Sequence, residues 1–217
     1  MTWNHVRATA VTILALLAIF PAPATAQTLL APEGWITRPE RFVEMPPGWH
    51  VTAGRGVILY NPAATARGEF RIESEGFLFD PSGAGGTYGL ILGGRQLDSD
   101  DQRYVSFEIG PDGNFAVRHQ ADFESTELAA GIHEAIHRWT GKDATVQNVL
   151  SVDAGAVTVR FRVNDDTVAE LPRPAVDPDG VIGFRIDSGL NIHITTFDIT
   201  DDAGTKSWAP KPPEKGR

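Results

Sequence analysis

The sequence predicts an all-β fold, a two-sheet antiparallel sandwich. Short apolar alternations follow one another from Trp49 onward, and Gly, Asp, Asn and Pro split them at close, regular spacing. Both are signatures of many short strands joined by tight turns. A barrel closes its strands around one core in the same way, and the pattern alone does not separate the two.

The elements justify themselves in order. Phe70 and Ile72 share one parity, whereas Phe77 and Phe79 share the other, so a bulge between Glu73 and Gly76 is expected to bring both pairs into the core. Tyr88–Gly94 reads as an apolar strand. Val105, Phe107 and Ile109 precede a Pro111-Asp112-Gly113-Asn114 turn, and Phe115 and Val117 follow it, so 103–120 reads as a hairpin. Asn148–Asp153 adds a strand. In Val157–Val163 four apolar residues alternate with polar ones, and Asn164-Asp165-Asp166 turns the chain into Thr167–Leu171. Val181–Ile186 follows, and a second phase change separates Ile192 and Ile194 from Phe197 and Ile199. In all, about eleven strands are expected, with one weak helical candidate around His133–Trp139.

Both ends read differently. Arg7, with His5, precedes an apolar run from Val11 to Phe20, and Ala24-Thr25-Ala26 closes the segment as an A-x-A site. Residues 1–26 are therefore expected to be a signal peptide, with Gln27 as the new amino terminus, and the chain to be exported to the periplasm or the medium. The apolar run is too short to span a bilayer. Residues 27–47 read as a Pro-rich leader anchored by Trp35 and Phe42, 48–200 as the sandwich, and 201–217 as a disordered tail.

Composition narrows the chemistry. The 217 residues contain no Cys, which removes disulfides, thiolate metal sites and cysteine nucleophiles. The formal charge of −9 disfavours binding to nucleic acid.

The succession Gly48-Trp49-His50-Val51, Ala66–Phe70, Tyr88–Gly94, Tyr104–Ile109 with Asp112-Gly113, Asn148–Val152, Val159–Asn164, Asp179–Phe184 and Asn191–Ile194 resembles the concanavalin A-like lectin/glucanase superfamily. Within it, the chain looks most like the bacterial 3-keto-disaccharide hydrolase-like domain. The resemblance covers about residues 48–200. It implies a jelly roll of two curved sheets and contact with glycans on the concave sheet or the loop rim. Strand-and-turn patterns specify a fold far more than an activity.

Sugar recognition needs a flat ring to stack on and planar polar groups around it. The polar-parity residues Tyr104, Glu108, Arg118, Arg160, Arg162, Arg185 and His193 are the ligand-binding candidates, with Trp139 and Tyr88 as further rings. Arg160 and Arg162 share one face, a pair suited to an anionic or polyhydroxyl ligand. Outward Arg on a strand also pairs commonly with Glu on its neighbour. Glycosidases need two carboxylates flanking the scissile bond. The E-x-D-x-x-E strand of the related glucanases is absent, for Glu69, Glu73 and Glu75 do not fit it.

Two metal readings arise. Asp98, Asp100 and Asp101 can offer oxygens to Ca²⁺, but without EF-hand spacing a solvated turn is the simpler reading. No other cofactor is expected. His133-Glu134-Ala135-Ile136-His137 matches the H-E-x-x-H zinc pattern, with Asp143 ten residues after His133. Gly131 and Thr140-Gly141 leave barely two helical turns, and in a strand residues four apart lie about 13 Å apart. A strand or loop is expected there, not a zinc site.

The leading functional expectation is an exported carbohydrate-binding sandwich with no recognisable catalytic constellation and no membrane span. The alternatives are a hydrolase acting on (3-keto) disaccharides or glucosides, and an envelope domain that docks on other proteins.

Overall fold

The structure, a computed structural model, describes residues 40–81, 85–122, 124–141 and 144–211. The signal-peptide reading, Trp35, Asp143 and residues 212–217 lie outside them. In chain order the strands are β1 (Arg41–Glu44), β2 (Trp49–Ala53), β3 (Val57–Ala66), β4 (Phe70–Phe79), β5 (Tyr88–Arg95), β6 (Arg103–Ile109), β7 (Asn114–Ala121) and β8 (Glu124–Ile132). They continue with β9 (Thr145–Ala154), β10 (Thr158–Val163), β11 (Asp166–Pro172), β12 (Gly180–Ile186), β13 (Leu190–Ile194), β14 (Asp198–Asp201) and β15 (Gly204–Ser207). One helical turn, α1 (Arg173–Val176), precedes β12.

Two antiparallel sheets result, as the alternation predicts. The larger runs β1-β2-β13-β4-β9-β10-β11, with β14 also on β4 and β15 on β14. The smaller runs β3-β12-β5-β6-β7-β8. Their inner faces pack one core between them. Phe107 of β6 meets Phe161 of β10 with ring centroids 5.2 Å apart, and Phe184 of β12 meets Phe197 at 4.7 Å.

The predicted turns form for the expected reasons. Asn164 (φ 48°) and Asp165 (φ 74°) both adopt the left-handed backbone of a two-residue hairpin between β10 and β11. Gly113 takes φ 89° between β6 and β7, where Asp112 Oδ1 accepts the Asn114 amide at 3.2 Å.

Four expectations need correction. First, β4 has no bulge: its pairing with β9 is continuous from Phe70 to Phe79. Phe70, Ile72, Ser74, Gly76 and Leu78 point inward, while Phe77 and Phe79 are half-buried on the outer face. The extra residue lies on the neighbouring strand. Gly76 pairs with Ile194 but Glu73 with Asp198, so β13 and β14 gain one residue on β4 at Thr195-Thr196. Ser74 Oγ donates to Thr196 O (2.9 Å), and the Glu75 amide donates to Thr196 Oγ1 (2.8 Å). This jog is the second predicted phase change, and it buries Ile192, Ile194, Phe197 and Ile199 together.

Second, Val157 is 74% exposed and precedes β10, which starts at Thr158 after the turn closed by Gly155 N–H to Thr158 O. Third, the sheet extends beyond 48–200 at both ends. Phe42 on β1 is buried against Trp49, and β15 pairs with β14 where a disordered tail was expected. Lys206 covers the Trp208 ring at 3.8 Å. Fourth, a helical turn lies at α1, where none was expected, while 133–139 is a turn and loop after β8, in line with the strand or loop expected there. Ile136 is buried at the end of the sandwich. Asn148 Oδ1 accepts the His137 amide (2.9 Å) and Asn164 Nδ2 donates to Ala135 O (2.7 Å), so two side chains of the larger sheet pin this loop.

A small void of 20 Å³ adjoins Ser74, Gly76 and Tyr88. A Cβ on Gly76 would lie 3.5 Å from Tyr88 Cε2 and 3.8 Å from Ile192 Cγ2, ordinary contact distances. Gly76→Ala is expected to stabilise the domain by about 0.4–1 kcal/mol by restricting the unfolded chain. A lower urea midpoint in the variant would refute that packing.

Candidate functional site

The outer face of the smaller sheet is built from registered rows. One row reads Ile58, Arg185, Gly89, Glu108, Ala116, Ala130 across β3, β12, β5, β6, β7 and β8. The next reads Tyr60, Gly183, Ile91, Ser106, Arg118, Glu127. Gly89 in the first row and Gly183 and Ser106 in the second leave gaps between longer side chains. Gly89 has no alternative, because a Cβ there would meet Phe107 O at 1.9 Å. Across it, Arg185 reaches Glu108.

The Arg185 guanidinium is fixed on three sides. Nε lies 3.2 Å from Glu108 Oε1, Nη2 3.0 Å from Asp187 Oδ1, and Nη1 3.4 Å from the Tyr104 hydroxyl. The Nε contact is an ion pair without hydrogen-bond alignment. Thr87 secures both carboxylates from below, its Oγ1 lying 2.5 Å from Glu108 Oε2 and 2.9 Å from Asp187 Oδ2. Glu108 is 1% exposed. Burial by itself would lower the Arg185 pKa, but the charge of Glu108, then Tyr104 and Asp187, holds it above the ordinary value. Burial raises the Tyr104 phenol against the pull of Arg185, and burial with the Asp98 carboxylate raises Tyr60.

Above this network runs a groove of 770 Å³. Tyr60, Tyr104 and Arg185 form its body, with Arg55, Asp98, Asp100 and Gln102 among its other lining residues. On the adjoining floor Ser106 is fully buried, and its hydroxyl has no partner among the described residues.

The sequence candidates thus divide between two faces. Tyr104, Glu108, Arg118 and Arg185 share the outer face of the smaller sheet, where Arg118 ion-pairs with Glu127 at 3.8 Å. Arg160, Arg162 and His193 belong to the larger sheet. There Arg160 pairs with Glu170 at 2.7 Å, and Arg162 with Asp153 at 3.4 Å and with the Asp165 carbonyl. Trp139 packs against the core, and Tyr88 is buried within it. Sequence reasoning missed Tyr60, Thr87 and Asp187. Tyr60 shares strand parity with Ile58, a weak signal, whereas Thr87 and Asp187 flank strands and carry none.

Neither metal reading acquires a converging ligand set. Among the described residues no three His, Asp or Glu side chains come together in a metal-binding group. Asp98 and Asp100 line the groove, whereas Asp101 does not. His133 Nδ1 accepts the Ala135 amide at 3.2 Å, while His137 Nδ1 faces Gln147 O at 2.8 Å, so the two rings serve different segments.

No family profile matches the sequence, and no curated protein matches it. Solved structures do. The carbohydrate-binding module CBM66 from Bacillus subtilis superposes with a TM-score of 0.57 at 12% identity, covering 74% of this chain and 91% of that one. A Bacillus subtilis protein of unknown function with a galectin-like fold gives 0.55 at 11%, covering 76% and 88%. The exoplasmic/lumenal domain of VIP36, in its Ca²⁺/Man3GlcNAc-bound form, gives 0.56 at 11%, covering 83% and 86%. The fold is the galectin-like, concanavalin A-type sandwich. At these identities the likeness speaks for the fold alone. The jelly roll expected from the sequence is therefore present.

The opposite outer face has its own titratable pair. His50 on β2 stands opposite His193 on β13, with ring centroids 6.0 Å apart. His193 Nε2 lies 2.9 Å from Pro47 O. Burial, then the charge of His193, lowers the His50 pKa from 6.5, with Arg41 adding to this and Asn191 opposing it. The fold therefore favours the neutral ring, and the unfolded chain takes up the proton first. The resulting stability is full above pH 6.5 and declines as pH falls through that value. His50→Gln should lose less stability than wild type between pH 7.5 and 5.5 in urea titrations; parallel losses would contradict the assignment.

Proposed function

We propose that this domain binds carbohydrate in the groove over β3, β12 and β6. The carrying observation is the pair Tyr60 and Tyr104 set around an Arg185 that Glu108, Asp187 and Thr87 hold in place. Tyr60 and Tyr104 are buried to 6% and 4% exposure, so they give the groove a firm wall, and the fixed planar donor supplies the directed hydrogen bonds that a sugar needs. Such preorganisation lowers the ordering cost of binding. CBM66, by its name a carbohydrate-binding module, and the VIP36 domain, crystallised with Man3GlcNAc, share the fold and support the reading.

The test is a glycan array followed by calorimetry. Tyr104→Ala should weaken binding at least tenfold, while Arg160→Ala with Arg162→Ala leaves it unchanged. Unchanged affinity in Tyr104→Ala, or loss in the double variant, would move the site to the other face. Assaying 3-keto-glucosides in parallel distinguishes a binding role from the hydrolytic one that the 3-keto-disaccharide hydrolase-like resemblance suggests. We place the protein outside the cytoplasm on the strength of residues 1–26, and a secreted form beginning at Gln27 would bear this out.

A further inference from the structure

Beyond Tyr104 the smaller sheet ends in a cavity of 120 Å³. Arg95, Arg103, His119 and Asp177 line it, and Tyr104 lines both this cavity and the groove. Arg95 and Arg103 stand opposite each other across β5 and β6. Like charges in that position repel unless something neutralises them. Asp177 satisfies Arg95 at 2.7 Å, but no ion pair among the described residues reaches Arg103. On the other side of the Arg95–Asp177 pair a second cavity holds Arg67, which has no ion pair among the described residues, and Asp179, which Arg173 engages. Arg67, Arg95 and Arg103, with His119, thus line these two cavities with Asp177 and Asp179 as the acidic residues, the latter already engaged by Arg173.

This positive end stands out on a chain of formal charge −9. The groove itself carries no such excess. Asp98 and Asp100 balance Arg55 and Arg185 in its lining. The groove therefore calls for no net charge on the rings it holds, whereas a wholly neutral ligand would leave Arg103 unanswered. We infer that the ligand is an oligosaccharide bearing an anionic substituent, a carboxylate or a sulfate, whose neutral rings lie in the groove along Tyr60 and Tyr104 and whose charge sits between Arg103, His119 and Arg95. This rests on the groove reading above and names its substrate class.

The experiment uses the full chain on an array of neutral, uronate-bearing and sulfated glycans. Calorimetry then compares matched pairs: trigalacturonate with its methyl ester, and a carrageenan tetrasaccharide with its desulfated form. The expected result is a preference of tenfold or more for the charged member of one pair at 50 mM NaCl, shrinking at 300 mM as screening grows. The responding pair tells carboxylate from sulfate. Arg103→Glu should erase the preference, keep affinity for the neutral member, and unfold no earlier than wild type, because Glu opposite Arg95 relieves the repulsion. Equal affinity within both pairs, or a preference that survives Arg103→Glu, overturns the inference. If neutral glycans then still lose affinity with Tyr104→Ala, the groove reading stands. Binding to no glycan overturns both.

Discussion

Phe161→Ala is expected to cost about 3–5 kcal/mol of folding free energy, the range for truncating a buried aromatic residue. Phe161 is fully buried, and its ring lies against Phe107 at 60° between ring planes. The two rings come from opposite sheets, so the variant removes apolar area and a tilted ring contact across the sandwich interface at once. No Cys is present to limit the damage with a cross-link. The measurement is the urea midpoint by fluorescence and far-UV circular dichroism. Val157→Ala serves as the reference, since Val157 is exposed and should change stability by less than about 0.5 kcal/mol. A loss below 1 kcal/mol for Phe161→Ala would mean that the sheets do not pack through this pair.

Glu108→Ala should have the next largest effect, and it should act on both stability and binding. Removing the carboxylate leaves the Arg185 Nε over an apolar floor and takes the Thr87 hydroxyl's closest partner. Breaking a buried ion pair costs about 3–5 kcal/mol, and the partial exposure of Arg185, together with its second partner Asp187, places this case near or below the lower bound. Glu108→Gln keeps the shape and the contact with Thr87 while removing the charge, so it should fold with a smaller loss. Glycan affinity should fall in both variants, because Arg185 is then held only by Asp187 and Tyr104. Full affinity in Glu108→Gln would show that the charge does not position the guanidinium.

Much of the fold was legible because one physical rule governs most of its strands. Val105, Phe107 and Ile109 alternate with Tyr104, Ser106 and Glu108; both sets are buried, but only the first belongs to the apolar core between the sheets, and that dictates the alternation. The turns at Asn164-Asp165 and Gly113 were legible because few residues adopt a left-handed backbone. The reading of β4 failed where aromatic size competed with fit. Phe77 and Phe79 outrank Ser74 and Gly76 in hydrophobicity, yet the inward positions beside Tyr88 and Ile192 suit small side chains. β8 left no pattern because its residues are exposed or half-buried and its position is set by pairing with β7.

The candidate site was half legible for a related reason. Tyr104, Glu108 and Arg185 announce themselves as polar residues in apolar strands. Their convergence depends on β12, β5 and β6 lying side by side with Gly89 between Arg185 and Glu108. That register is a property of tertiary pairing. The same holds for Thr87 and Asp187, which join the network from loop positions where a lone Thr or Asp looks like any solvated residue.

The order of pairing also sets a timetable. β2 pairs with β13, and β3 with β12, so Val51 waits for Ile192 and Tyr60 for Gly183. The Gly48 amide finds its acceptor only at the Pro210 carbonyl. Early strands gain their neighbours from the last quarter of the chain, and long-range pairing of this kind folds slowly. As a ribosome makes this protein, hairpins such as β6–β7 can form at once, but the smaller sheet waits for β12 and the larger for β13 to β15.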